Sequence, residues 1–309
     1  MIRCDSRHPV PPHLRGAIVA LGNFDGFHQG HQAVVGEALR WARAEGRPCI
    51  VATFDPHPVE FFTAPPQPFR LTSLDQRHDL FAAAGADAML VFHFDAAFAA
   101  TSAHDWVHGV LARDVGAAGV VTGLDFTFGK GREGTIEVLR ALGAQAGIAT
   151  RAVGPVSDAG GIVSSSRIRE ALRAGDMATA TRLLTRPFAI RGLVQHGDKL
   201  GRTIGFPTAN IAMGDYLRPA YGIYAVTALL PGGQRVLGAA NMGVRPHFDP
   251  PKELLEPHFF DFSGDLYGHE IEVAFHAFLR PEAKFESLDA LVAQIGRDCD
   301  EAKRVLEGV

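Results

Sequence analysis

Cysteine is scarce in this chain of 309 residues: Cys4, Cys49 and Cys299 are too few and too scattered for a disulfide framework or a zinc site with short ligand spacing. No apolar run reaches the roughly 18 residues of a membrane span, and the stretch before Pro9 lacks the apolar segment of a secretion signal. Positive charge is not in excess. With 30 Lys and Arg against 34 Asp and Glu the formal charge is -4, so no global field draws in nucleic acid or an anionic membrane, and phosphate binding must be local. Internal repeats, a Gly-x-x-x-x-Gly-Lys-Ser/Thr loop and the protein-kinase signature set are also missing. What remains is a folded chain, 47 % hydrophobic and 21 % charged, long enough for two domains and expected in the reducing cytoplasm.

Short β-branched runs at Ala17 to Leu21, Cys49 to Phe54, Ala88 to Phe92, Gly119 to Thr122 and Ile148 to Val153 alternate with helical patterns, which predicts a parallel α/β sheet. His31 to Ala44 carries Val34, Val35, Ala38, Leu39 and Ala42 at helical spacing, and Ser73-Leu74-Asp75-Gln76 has the form of a capping box. The proline-rich Ala64 to Pro68 reads as a loop within this first domain. Two helices follow, about Ser166 to Ala174 and Asp176 to Leu184, and then the pattern changes. From Phe188 to Phe278 strand-like runs, among them Ile223 to Leu230, Val236 to Asn241, Phe259 to Phe262 and Glu270 to Phe275, are separated by Gly, Pro and Asp turns, the mark of an antiparallel β domain. A terminal helix capped by Ser287 puts Leu288, Leu291, Ile295 and Leu306 on one stripe. The domain boundary is placed near residue 186.

The strongest local signal is Gly22-Asn23-Phe24-Asp25-Gly26-Phe27-His28-Gln29-Gly30-His31, between the first strand and the first helix. Glycines permit a tight turn there, the helix N-terminus favours a phosphate, and His28 and His31 can donate to phosphoryl oxygens. Val163-Ser164-Ser165-Ser166-Arg167-Ile168-Arg169 puts hydroxyls at a helix start ahead of two arginines, which suits a triphosphate but is also what a capped basic helix looks like. Thr53-Phe54-Asp55-Pro56-His57-Pro58 ends the second strand at the carboxyl edge, where open α/β sheets bind ligands and where an ordinary proline turn would also sit. Gly129-Lys130-Gly131-Arg132-Glu133-Gly134 matches the dinucleotide spacing, yet follows Asp125-Phe126-Thr127-Phe128 rather than a strand, and reads better as a mobile loop over the substrate.

In the second domain Gly201-Arg202-Thr203-Ile204-Gly205-Phe206-Pro207-Thr208-Ala209-Asn210 surrounds two oxygen-bearing side chains with turn formers. Thr208 and Asn210 share a face if the segment is extended, so both oxygens could meet one hard cation; the alternative is a turn with incidental polar residues. Glu256-Pro257-His258-Phe259-Phe260-Asp261-Phe262 offers a carboxylate beside a proline that suits a strand edge or bulge.

Together these runs resemble the nucleotidyltransferase superfamily and, more closely, the prokaryotic bifunctional riboflavin kinase/FMN adenylyltransferases, or FAD synthetases, over nearly the whole chain. The resemblance implies an α/β Rossmann-like nucleotidyltransferase domain over residues 1–185, then a riboflavin kinase domain over residues 186–309, a six-stranded antiparallel β-barrel with a C-terminal helix. It implies that ATP phosphorylates riboflavin to FMN in the second domain and adenylylates FMN to FAD in the first, releasing pyrophosphate, with Mg²⁺ at both sites. His28, His31 and Glu256 are then the catalytic residues, Glu256 as the base for the riboflavin 5′-hydroxyl. Gly22, Asn23, Phe24, Asp25, Gly30, Ser164, Ser165, Arg169, Gly201 and Gly205 fall to ATP, His57, Asp125, Phe126 and Phe128 to flavin, and Thr208 and Asn210 to the metal. Asn241-Met242-Gly243-Val244-Arg245-Pro246 fits the same family, but His247 follows where threonine is usual. Two rivals are a flavin or nucleotide sensor that binds without turnover, against which the intact motif residues speak, and a class I aminoacyl-tRNA synthetase, which would need a Lys-Met-Ser-Lys-Ser run that is missing.

Overall fold

The strand-length apolar runs of the N-terminal half pair side by side. The computed structural model describes every residue except 64–66, 197–199, 246–251 and 309, so His247 lies outside the described residues. The chain forms two compact units, Met1–Gln67 with Leu74–Ser164, and Pro68–Ser73 with Ser165–Val309.

The first unit is built on a parallel sheet of β1 (Ile2–Asp5), β2 (Ile18–Leu21), β3 (Cys49–Asp55), β4 (Ala88–His93), β5 (Gly119–Gly123) and β6 (Ala149–Val153), in the spatial order β1-β4-β3-β2-β5-β6. Between the strands run α1 (Gln29–Glu45), α2 (Pro58–Phe62), α3 (Leu74–Ala84), the short α4 (Ala96–Ala99) and α5 (Ala103–Asp105), a π-helix at Trp106–Val115, and α6 (Ile136–Gln145). Both faces of the sheet are covered at its centre, which is why the inner strands β2, β3, β4 and β5 are apolar along most of their length rather than alternating, whereas the edge strands β1 and β6 carry exposed residues. Ile18, Ala20, Val51, Met89 and Val91 pack with Val35, Ala38 and Trp41 of α1 and Phe81 of α3. On the other face Val19, Leu21, Ile50, Ala52, Leu90 and Phe92 pack with Trp106, Leu111 and Leu139.

A small hairpin, β7 (Ser157–Asp158) and β8 (Gly161–Ile162), closes that unit, and the second opens with α7 (Ser165–Arg173) and α8 (Met177–Leu184). The pattern change at Phe188 marks where strands begin, whereas the compact units divide at Ser164, because α7 and α8 bury Ile168, Leu172, Ala180, Leu183 and Leu184 within the second unit. Ala220 N–H donates to Leu172 O at 3.0 Å, and a Cβ on Gly175 would lie 3.1 Å from the Phe278 ring. Pro68–Ser73 also joins this unit: Phe69 and Arg70 N–H groups both donate to Asp215 O.

Next come β9 (Phe188–Gln195), α9 (Leu200–Thr203), β10 (Asn210–Ala212), β11 (Gly222–Leu229), β12 (Arg235–Arg245), β13 (Lys252–Phe259) and β14 (Glu270–Pro281). These strands close into the antiparallel barrel β10-β13-β12-β11-β14-β9, six-stranded as expected. The strand expected at Phe259 to Phe262 lies earlier, because the chain turns after Phe259 and Asp261 takes a left-handed backbone with φ 53°.

The last helix, α10 (Leu288–Leu306), is capped as expected, Ser287 Oγ accepting from Ala290 N at 3.1 Å. Its buried stripe is displaced from the expected one: Leu288 is exposed, and Asp298, Cys299, Ala302 and Leu306 are buried. Arg280 of β14 explains the shift, since its guanidinium grips Asp298 with two bonds of 2.8 and 2.6 Å and fixes which side of α10 faces the barrel.

Gly119 sits where α1 meets the sheet, and an added Cβ would lie 2.4 Å from Trp41 Cη2 and 2.9 Å from Ile18 Cδ1. Both neighbours are buried, so Gly119→Ala is expected to destabilise the first unit by roughly 1–3 kcal/mol through overpacking. Both tryptophans belong to this unit, so denaturation followed by tryptophan fluorescence reads it directly. An unchanged midpoint would show that Trp41 yields freely.

Candidate functional sites

In the first unit the run from Gly22 to His31 is a strained turn that carries β2 into α1. Phe24 and Phe27 have φ of 52° and 44°, rare for bulky side chains, with Gly26 at 85° between them. Packing holds them there: Phe24 meets Phe81 edge-on at 5.7 Å and Phe27 meets the same ring at 5.2 Å. Asp25 is buried within the turn. At Gly22 a Cβ would lie 3.1 Å from the Phe24 ring, a tight contact against a buried side chain.

His28 caps α1, its Nδ1 accepting from Gly30 N at 3.2 Å. That bond uses the Nδ1 lone pair, so in the neutral ring the proton sits on Nε2, which is then a donor. The His31 ring stacks on His28 at 3.6 Å and meets Phe24 edge-on at 5.3 Å. The turn thus brings together Gly22, Asn23, Phe24, Asp25, His28, Gly30 and His31. The Val163 carbonyl passes 3.5 Å from where a Gly30 Cβ would stand. Ser164 ends the first unit, while Ser165 and Arg169 lie on α7 in the second, where Arg169 donates to Phe69 O at 2.9 Å and its guanidinium covers the Phe69 ring at 4.7 Å.

His57 caps α2 in a capping box: its Nδ1 accepts from Val59 N at 3.1 Å, and Glu60 accepts from the His57 N–H at 3.1 Å. The helix it starts belongs to an aromatic wall that the motif reading missed. Phe61 and Phe62 meet Phe94 at 5.4 and 5.9 Å, Phe94 packs on Phe54 and Phe98, and Phe62 remains 70 % exposed. The signal was the density of phenylalanine just past two strand ends, Phe61-Phe62 after β3 and Phe94 after β4. Phe126 and Phe128 stack at 6.0 Å, but Phe128 is buried against Trp106 at 4.9 Å, while Asp125 is exposed. The glycine-rich loop beyond them is fastened rather than loose. Phe128 and Gly134 exchange two backbone bonds, Lys130 N–H donates to Thr101 O at 2.8 Å, and Glu133 accepts from Ala103 N at 2.7 Å.

In the second unit two segments 46 positions apart, Asn210 and Glu256, come into one register. Ile211 pairs with Leu255, and Ala209 N–H donates to Pro257 O at 3.0 Å, so Asn210 stands level with Glu256; on its other side Glu256 pairs with Asn241. Ile211, Leu255 and Met242 are fully buried on one face, which leaves the row Asn210, Glu256, Asn241 on the other. Thr208, two residues before Asn210, enters on the same stretch, held by a turn in which Phe206 N–H donates to Gly201 O at 2.8 Å. Gly201 has no alternative, since a Cβ would lie 2.3 Å from Phe206 O, and Gly205 turns at φ 87°. A hydroxyl, an amide oxygen and a carboxylate form a donor set that fits a hard cation such as magnesium.

A family model described as FAD synthetase matches residues 10–167, and one described as riboflavin kinase matches residues 184–306. The bifunctional riboflavin kinase/FMN adenylyltransferase of Escherichia coli K12 is 39 % identical over 283 residues, covering 92 % of this chain and 90 % of its own. That of Pseudomonas fluorescens is 39 % identical over 297 residues (96 % and 95 %), and that of Bacillus subtilis 35 % identical over 303 residues (96 % and 95 %). A solved Streptococcus pneumoniae chain described as a macrolide-efflux protein superposes with a TM-score of 0.87 at 32 % identity, covering 98 % of this chain and 99 % of that one. The chain belongs to the bifunctional riboflavin kinase/FMN adenylyltransferase family.

Gly30→Ala separates local geometry from stability. Alanine favours a helix by about 1 kcal/mol over glycine, but its Cβ would press on the His28 ring at 3.1 Å. The expected outcome is a fold changed by no more than about 1 kcal/mol with a displaced His28 ring, read as altered imidazole nitrogen signals in NMR. Unaltered signals would mean that the ring is not positioned by this contact.

Proposed function

We propose that the chain carries the two consecutive reactions of FAD synthesis on the residues assembled above: kinase chemistry within residues 186–309 and adenylyl transfer within residues 1–185. The observation that supports this most directly is the single cross-strand row holding Glu256 beside Asn210 and Asn241, because it joins a candidate base to candidate metal donors from a separate motif. In the kinase reaction the riboflavin 5′-oxygen bonds to the γ-phosphorus of ATP as the bond to ADP breaks, and Glu256 takes the hydroxyl proton. Thr208 and Asn210 would hold magnesium, which when bound neutralises charge on the phosphates. Among the described residues no group of three or more His, Cys, Asp or Glu side chains is placed to hold a metal alone, so a magnesium ion would share its shell with phosphate oxygens and water.

In the adenylyl transfer the FMN phosphate bonds to the α-phosphorus of ATP and pyrophosphate leaves. No proton need move, so the task of the turn is positioning and charge stabilisation: N–H groups at the start of α1, the Nε2–H of His28 and the His31 ring face the phosphates. Phe61, Phe62 and Phe94 offer ring faces and edges to a planar flavin next to His57.

A transport role, which the description of the pneumococcal chain suggests, finds no support: among the described residues no helix is long and apolar enough to cross a membrane. A cytoplasmic setting is supported by three free, buried cysteines, with burial pushing the Cys49 thiol up to about 12 and that of Cys299 up to about 11, far from reactive thiolates.

Two variants assayed for both reactions test the division of labour. Glu256→Gln keeps the shape and loses the proton acceptor, so riboflavin phosphorylation is expected to fall roughly 10²- to 10⁴-fold with adenylylation of supplied FMN untouched. A combined His28→Ala and His31→Ala variant is expected to do the reverse, stopping FAD formation while FMN still forms. Equal loss of both activities in either variant would contradict separate sites.

A further inference from the structure

The turn from Gly22 to His28 cannot hold its own shape, since two phenylalanines with positive φ are each disfavoured relative to ordinary backbone regions. What over-determines it comes from outside the motif. Helix α3 presents Arg77 and Phe81 one turn apart on its buried side, 1 % and 0 % exposed. Phe81 is the ring against which both Phe24 and Phe27 pack edge-on. The Arg77 guanidinium donates through Nη1 to the Asn23 carbonyl at 3.1 Å and to Thr53 Oγ1 at 2.7 Å, and Thr53 in turn donates to the same carbonyl at 2.8 Å. One carbonyl of the turn is therefore held by two donors, one from α3 and one from the end of β3.

We propose that Arg77 is a positioning residue for adenylyl transfer: with Phe81 it makes α3 a buttress that locks the strained turn in its phosphate-facing shape. This rests on the reading of the turn as the adenylyl-transfer site, and adds that the site's geometry is imposed from a helix outside the motif. A fully buried arginine is costly to keep unless its bonds do something that a hydrophobic residue of similar size could not. Here that is the hold on the Asn23 carbonyl. Loss of the hold lets Phe24 and Phe27 relax toward negative φ, which moves the N–H groups and His28, and a misplacement on the order of 1 Å at such a site costs about 10²-fold in rate.

The test uses the full chain with Arg77→Met, Arg77→Lys and Thr53→Val, each assayed per folded molecule. For Arg77→Met the kcat of FMN adenylylation is expected to fall roughly 10²-fold with riboflavin phosphorylation in the same sample unchanged, and Arg77→Lys, which keeps the charge and a donor, should recover most of the loss. Thr53→Val removes one hydroxyl of the same network and keeps the charge of Arg77, a smaller perturbation than Arg77→Met, and in the folded protein it should lower the same kcat in the same sense. Hydrogen exchange supplies a readout independent of activity: amides from Phe24 to His28 should exchange faster in Arg77→Met while those of β2 and β3 keep their protection. Native kcat and KM in folded Arg77→Met and Thr53→Val, or unaltered exchange in the turn, would overturn the proposal. If the unsubstituted chain makes no FAD from FMN, the adenylyl-transfer reading fails and the exchange result alone decides the buttress.

Discussion

A bulky side chain on a left-handed backbone crowds its own carbonyl, so it persists only where surrounding contacts outweigh the crowding. Phe24 and Phe27 both stand in that position within one turn, with Gly26 between them. The consequence is a chain path that a relaxed loop would not follow: out of β2, sharply around, and into α1 with His28 already seated as its cap. The first site depends on that constraint. The aromatic packing on Phe81 and the buried guanidinium of Arg77 are the contacts that hold it, and the stacked pair His28 and His31 is its product.

In the second unit the equivalent constraint is strand register. Side chains alternate across a sheet, so a slip of one residue between β13 and its neighbours would turn Glu256 into the barrel and bring Leu255 out. Full burial of Ile211, Leu255 and Met242 forbids that slip, and the polar row on the other face follows from it. Hydrophobic packing inside the barrel thus fixes the chemistry outside it. The same logic places α10, where Arg280 and Asp298 add a directional grip to an apolar contact around Ala302 and Leu306.

The α/β class, the core strands of the sheet and the β domain were legible because burial on both sheet faces leaves uninterrupted apolar runs and turns leave glycine and proline. The β1 strand was not, since Ile2–Asp5 at the sheet edge is half exposed and carries Arg3 and Asp5. Local motifs were legible for a related reason: Gly22 to His31 and Gly201 to Asn210 each confine their chemistry to one short segment. Arg77 was not, because its role is set by a partner 54 positions away, and in sequence it is one more charged residue in a helix. Nor was the aromatic wall, whose phenylalanines read singly as core. The division at Ser164 was hidden as well: helical pattern shows that α7 and α8 exist, but not which core they cover.

The central claim is that one chain performs two ordered transfers at separate sites. The most direct measurement is a time course of the intact protein with magnesium, ATP and riboflavin, with flavins resolved by chromatography and ADP and pyrophosphate quantified in parallel. FMN should appear first and FAD after a lag, with pyrophosphate equal to the FAD formed and ADP equal to the sum of FMN and FAD. Flavin binding without either product, or FAD formation without ADP, would contradict the account.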